Sequence, residues 1–303
     1  MNISTLSVAL MKSQVFSSLT SSAPDSRKSD SFSDMFSLLA ANGVQPAQLS
    51  AHPLLPVAQS GNIAPASGVQ GAAPVGRNMA LADPESAYKM MTVINNKEAY
   101  YKAQFSELSQ LQSHVSRMQD AGQKLGGIAL STGNDDIKSQ LHDFVGQYNN
   151  WILRFGTDLR KDGLLADTQA AQISQYELEQ SVKNRFFGIN HGVHGLSDLG
   201  ITIDHHTRLA SLDSAKLDAL LAANQPGVVN AVQEFSANFA ASAGLLNSDN
   251  NFIPRQLDNL NRAIHYIADN KDSLRKEFGT GDAAKPTGNV AQALTAYNQM
   301  HGS

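Results

Sequence analysis

The stretch IKSQLHDFVGQYNNWI, residues 137–152, places apolar side chains at Ile137, Leu141, Phe144, Val145, Tyr148, Trp151 and Ile152. Their spacing of three or four positions predicts a helix with one wide apolar stripe. Asn134, Asp135 and Asp136 stand just ahead, where an N-cap and negative charge favour a helix start. The only Trp of the chain lies on the stripe, so this helix is expected to be buried in the core.

Upstream, Asp83-Pro84-Glu85 opens a longer helix, expected to run to Leu125 and to stop at Gly126-Gly127. Ile94, Tyr101, Leu108 and Val115 recur every seven residues, and Leu111, Met118 and Leu125 form a companion row. This is a coiled-coil-like seam, interrupted by Lys97 and Gln104. Ile94, Tyr101, Leu108, Val115 and Met118 are the candidate subunit-interface residues, unless intramolecular packing, the commoner use of such a stripe, consumes them.

Downstream, GTDLRKDGLLADTQ (residues 156–169) is a polar loop with a turn at Asp162-Gly163. A helix is expected over residues 167–187, bearing Ile173, Tyr176, Leu178, Val182, Phe186 and Phe187. Gly188, Gly192 and Gly195 mark a loop, and residues 199–203 and 208–212 read as short β-segments around a His-His-Thr turn. Asp213 caps a helix that Asn224 and Pro226 break and restart, running to about Leu246. Pro254 begins another, with Leu257, Leu260, Ile264, Ile267 and Leu274 on one face and Gly279 at its stop. Three regions are therefore expected: a flexible one over residues 1–82, a helical core over 83–279, and a polar tail over 280–303 with weak helix at 290–297. The fold class is mainly α: a helical bundle with one long helix and a small β-hairpin, preceded by a disordered N-terminal region.

The N-terminal region is rich in Ser, Ala, Gly, Pro and Gln, and its residues 42–76 offer too little apolar surface to offset chain entropy. Apolar patches at 6–16 and 32–39 suit single amphipathic turns that dock on a partner. The start lacks the pattern of a cleaved signal peptide, and no run of about 18 apolar residues marks a membrane span. A net charge of -4 points away from nucleic acid, and the absence of Cys removes disulfides and thiolate chemistry.

Candidate chemistry is sparse. His191, His194, His205 and His206 could gather around zinc, but they sit on loops without the i, i+4 helical spacing of a metal pair. No GxSxG, HExxH, Walker or GxGxxG pattern occurs. Asp135-Asp136 and Glu177 with Glu179 read as helix-surface or cap positions rather than acid/base pairs. Catalysis, cofactor and metal are therefore not expected, and assembly through helix faces is.

Two segments carry a resemblance. HDFVGQYNNWI resembles the Phe-Val-x-x-Tyr-Asn helix of the flagellar hook-associated, filament-capping (FliD) family. GLSDLGITIDHHTRLASLDSAKLDALLAANQPGVVNAV resembles that family's C-terminal signature, through Leu199-Gly200-Ile201-Thr202, Leu212-Asp213, Lys216-Leu217-Asp218, Leu221, Asn224 and Pro226. KDGLLADTQ and the long helix also fit, so the likeness covers residues 84–278. It implies a non-enzymatic structural protein, exported without a cleaved signal to the extracellular flagellum. The implied partners are other copies of itself as a homo-oligomer, flagellin, hook-associated proteins, and the export apparatus or a chaperone. A cytoplasmic accessory module that binds assembly components is the alternative.

The departures from the family pattern are specific. Only residues 126–134 stand where large outer domains usually intervene. Thr207 and Arg208 occupy the place of a turn glycine, with an extra residue before Leu212. The front of the chain is Ser/Ala/Pro-rich, and the C-terminal helix is interrupted between Gly279 and Gly288.

Overall fold

The computed structural model describes residues 75–186 and 192–302. The expected docking patches at 6–16 and 32–39 lie outside the described residues, as does all but the end of the 1–82 region. What is described is mainly helical with one two-stranded hairpin.

Helix α1, Pro84–Leu125, is the axis on which the other helices lie. Asp83 caps it by accepting the Ser86 N–H at 3.0 Å, Pro84 fills the first turn, and Glu85 adds negative charge there. Helix α2, Asn134–Phe155, follows after a short turn. Its cap is Gly133 rather than a member of the expected run Asn134–Asp136, and the Asn134 side chain accepts from Gln225 Nε2 at 3.4 Å. The stripe of α2 is buried from Ile137 to Ile152, as the spacing predicts.

Helix α3, Gln169–Lys183, is shorter than expected at both ends. At its start the Thr168 hydroxyl donates to Leu165 O at 2.8 Å, holding the preceding turn. At its end Phe186 N–H donates to His194 O at 2.6 Å, drawing the chain out of the helix. Tyr176 is exposed, because α3 buries Ala170, Ala171, Ser174, Leu178, Ser181 and Val182 instead. Small residues on that face allow close approach to the next helix.

Strands β1, Ile201–Ile203, and β2, Ala210–Leu212, pair antiparallel, with Ile201 opposite Leu212 and Ile203 opposite Ala210. Helix α4, Ser214–Asn247, is capped by Asp213 and bends at Asn224, whose φ of -155° is non-helical. There the Asn224 side chain accepts the Gly227 N–H at 3.0 Å and so caps the second half, as Asn-x-Pro predicts. Helix α5, Phe252–Phe278, is capped by Asn251, three residues before Pro254, and stops at Gly279 with φ of 87°. A side chain at Gly279 would collide with the Gly76 carbonyl oxygen.

The tail does more than the weak pattern over 290–297 suggests. Helix α6, Gly288–His301, lies back along α1. Its Ala293 packs with Ala103 and Leu164, and its Tyr297 meets Phe105 edge-on at 5.9 Å. The centre of the core is aromatic: Phe144 of α2 stands edge-on to Phe235 and to Phe239 of α4, each at 5.1 Å.

Candidate functional site

The five stripe residues Ile94, Tyr101, Leu108, Val115 and Met118 are each 4% exposed or less. They are enclosed by the chain's own helices, because α2, α4, α5 and α6 all pack on α1. One interruption of the heptad has a use of its own. Gln104 is buried, and its Nε2 donates to Leu164 O at 3.2 Å, tying the 156–168 loop to α1.

The imidazoles do not converge. His205 and His206 are exposed on the hairpin turn, where Asp204 Oδ1 accepts the N–H groups of His206 at 3.0 Å and Thr207 at 2.6 Å. These bonds from Thr207 and His206 hold the Asp204 carboxyl below its usual range. His194 Nδ1 donates to Phe186 O at 3.1 Å, and its N–H donates to Asp198 Oδ2 at 2.9 Å. His191 lies outside the described residues. Among those described, no three His, Cys, Asp or Glu side chains are grouped to hold a metal ion.

The segments that carry the family resemblance, distant in sequence, are joined in space. Asn149 Nδ2 donates to Ala210 O at 2.9 Å, and Asn149 Oδ1 accepts the Ala210 N–H at 2.7 Å. Ala210 faces Ile203 across the hairpin, but its own N–H and C=O point outward, so the amide of Asn149 stands in for a third strand. On the opposite edge, Ile201 N–H donates to Leu196 O at 3.0 Å. Each strand thus takes a hydrogen bond from outside the pair.

Gly200 has a φ of 94°, and a Cβ there would meet Asp213 O at 2.9 Å, so the Leu-Gly-Ile-Thr segment requires its glycine. Arg208, which with Thr207 stands where a turn glycine is expected, also adopts the left-handed region, with φ of 63°. Its side chain gains a partner: Arg208 pairs with Glu179 of α3, whose side chain is 13% exposed. Glu179 is therefore not the solvated surface group that its sequence suggests. Nearby, the hydroxyl of Tyr148 is buried without a hydrogen-bond partner among the described residues, and burial pushes its phenol above its ordinary value.

The helix that follows uses each matching residue. Lys216 donates to Ser197 O at 2.9 Å, Leu217 and Leu221 are buried, and Asp218 pairs with Lys138 of α2 at 2.6 Å. Sequence reasoning identified the hairpin and this helix but not that Ala210 and Arg208 have Asn149 and Glu179, about sixty and thirty residues upstream, as their partners.

A second ionic group lies under α6. Arg154 Nη1 is 2.5 Å from Glu107 and 3.4 Å from Asp158, and Asn289 of α6 donates to Asp158 at 3.2 Å. Burial pushes the Glu107 carboxyl above its ordinary range; Arg154 pulls against that, and Asp158 adds to it. This group ties α1, α2 and α6 together. Asp135 and Asp136 lie exposed at the start of α2, as expected for cap-region charges.

Comparison with known proteins matches residues 117–285 to the family described as "Flagellar hook-associated protein 2 C-terminus". The lateral flagellar hook-associated protein 2 of Vibrio parahaemolyticus is 28% identical over 101 residues, covering 31% of this chain and 22% of the relative. The chain thus matches about a fifth of that relative's length. Among solved structures, the flagellar cap protein FliD from Escherichia coli (domains D1-D2-D3) aligns at a TM-score of 0.38 and 21% identity, covering 42% of this chain and 37% of that one.

Proposed function

This chain belongs to the flagellar hook-associated protein 2 family, and we propose that it is a structural, non-enzymatic component of the bacterial flagellum. In this reading it is exported to the filament tip or the hook–filament junction, assembles there with other copies of itself, and assists flagellin polymerisation. Flagellin, neighbouring hook-associated proteins, and an export apparatus or chaperone are the partners. The observation that supports it best is the Asn149–Ala210 contact, because it makes the two resembling segments one structural unit.

The work is geometric. A stiff axis, α1, fixed by the buried stripe Ile94, Tyr101, Leu108, Val115 and Met118, positions the outer helix faces that meet neighbouring subunits. The ring so formed holds incoming flagellin while it folds. The test is location. In this proposal the protein is recovered with the sheared-filament fraction, and its confinement to the cytoplasm overturns it.

One observation favours a second reading. Helix α1 ends at Leu125 and α2 begins at Asn134, leaving no room for outer domains between them. An accessory module that binds export or assembly components and stays off the filament suits that shortened form. The same fractionation separates the two readings.

A further inference from the structure

Two lysines share one carboxylate, with an arginine lining the same hollow, where α1, α5 and residues 280–284 meet. Glu98, its side chain 9% exposed, gives Oε1 to Lys102 Nζ and Oε2 to Lys271 Nζ, each at 2.7 Å. Arg275 stands one turn beyond Lys271, exposed, and has no ion pair among the described residues. Asp282, on the neighbouring segment, is engaged elsewhere: its Oδ1 accepts the Tyr88 hydroxyl at 2.8 Å. These cations line a hollow of about 370 Å³ that also presents the amide of Asn298, while Asn95 at its wall donates to the backbone oxygens of Thr280 at 3.1 Å and Asp282 at 2.8 Å.

The charge balance is the reverse of the chain's, whose net charge is -4. Each ammonium has three N–H donors and spends one on Glu98, which leaves donors for a second anion. Burial pushes the Glu98 carboxyl up, but the two lysines outweigh it and hold the group below its ordinary value, so it stays ionised at neutral pH. A concave site with excess positive charge concentrates anions. The hollow is not purely polar: Leu294 and Ala99 also line it, a surface suited to carbon rather than to a bare inorganic ion.

We propose that this hollow binds a carboxylate-bearing organic ligand, with Lys271, Lys102 and Arg275 neutralising the carboxylate and Asn298 donating from its amide. The carboxylate comes from a free small polycarboxylic acid or from an acidic side chain of a second copy of this chain. The inference rests on the hollow alone and does not depend on the flagellar reading.

Citrate is the probe, titrated into the full chain by calorimetry at constant ionic strength. Saturable binding with one site per chain is expected, weakened about ten-fold or more in Arg275→Gln, since a charged hydrogen bond contributes about 1.5–3 kcal/mol. Arg275 is exposed, so its replacement leaves the fold intact, which circular dichroism checks. Lys271→Gln is the second variant and weakens binding in the same direction. Sedimentation with and without saturating citrate identifies the source. Dissociation of an oligomer assigns the carboxylate to a second copy, and an unchanged mass assigns it to a free acid. Absence of saturation, or equal affinity in both variants and the parent, overturns the proposal.

Discussion

The carboxamide of Asn149 meets both backbone polar groups of Ala210, donating at 2.9 Å and accepting at 2.7 Å. A hairpin with strands of three residues is too small to stand alone, and this side chain attaches it to the core helix α2. Ala210 is itself buried, so its N–H and C=O have poor access to water.

Asn149→Ala is expected to destabilise the protein by about 2–4 kcal/mol, because it leaves a buried donor and a buried acceptor unpaired. Asn149→Asp keeps the acceptor, loses the donor and places a charge beside Ala210 O, so it does not restore stability. Urea unfolding measures both. A loss below about 0.5 kcal/mol for Asn149→Ala makes the contact incidental.

Arg208 separates backbone from side chain. A non-glycine residue in the left-handed region costs about 1–2 kcal/mol. Arg208→Ala keeps that cost and loses the Glu179 pair; Arg208→Gly loses the pair but also relieves the backbone. Gly is therefore expected to exceed Ala in stability by about 1 kcal/mol, with the parent close to Gly. Equal stability of the Ala and Gly variants removes the argument for backbone cost at this turn.

His114 lies half-buried with its ring 5.0 Å from that of Phe155, edge to face. Burial lowers its pKa below 6.5, and the charges of Arg117 and Arg154 act in the same direction. The fold therefore prefers the neutral ring. Its contribution is complete above pH 6.5 and is lost as the pH falls from 6.5 through the lower, folded value. Urea midpoints over pH 5–8 are expected to fall on the acid side in the parent and to fall less in His114→Phe. Parallel profiles for the two proteins contradict this.

Core and tail differ in weight. Phe144 is 1% exposed between Phe235 and Phe239, so Phe144→Ala is expected to cost about 3–5 kcal/mol. Tyr297 lies on α6, where only it and Ala293 are buried, and Tyr297→Ala is expected to cost about half as much. Trp151, fully buried, reports both transitions by fluorescence. Equal losses would place α6 in the main core.

What the sequence made legible followed from local signals. Asp83, Asp213 and Gly279 mark helix ends by chemistry that acts within four residues, and all three sit where expected. The stripe of α2 is periodic, and its burial follows. Asn149, Glu179 and Gln104 were opaque because their partners Ala210, Arg208 and Leu164 are far along the chain and two of them are backbone groups. Helix α6 was underestimated because only Ala293 and Tyr297 are buried on it, with Val290 and Leu294 partly so, which gives little periodic signal but packs against Ala103 and Phe105. Arg208 shows a backbone conformation that no residue pattern announces, at the turn whose glycine is missing.

The flagellar reading meets its most direct test in a deletion of the gene, scored for flagellin in the culture medium and for filament length. The proposal predicts monomeric flagellin in the medium and short or absent filaments, both restored by the intact gene. Filaments of normal length with no released flagellin would contradict it.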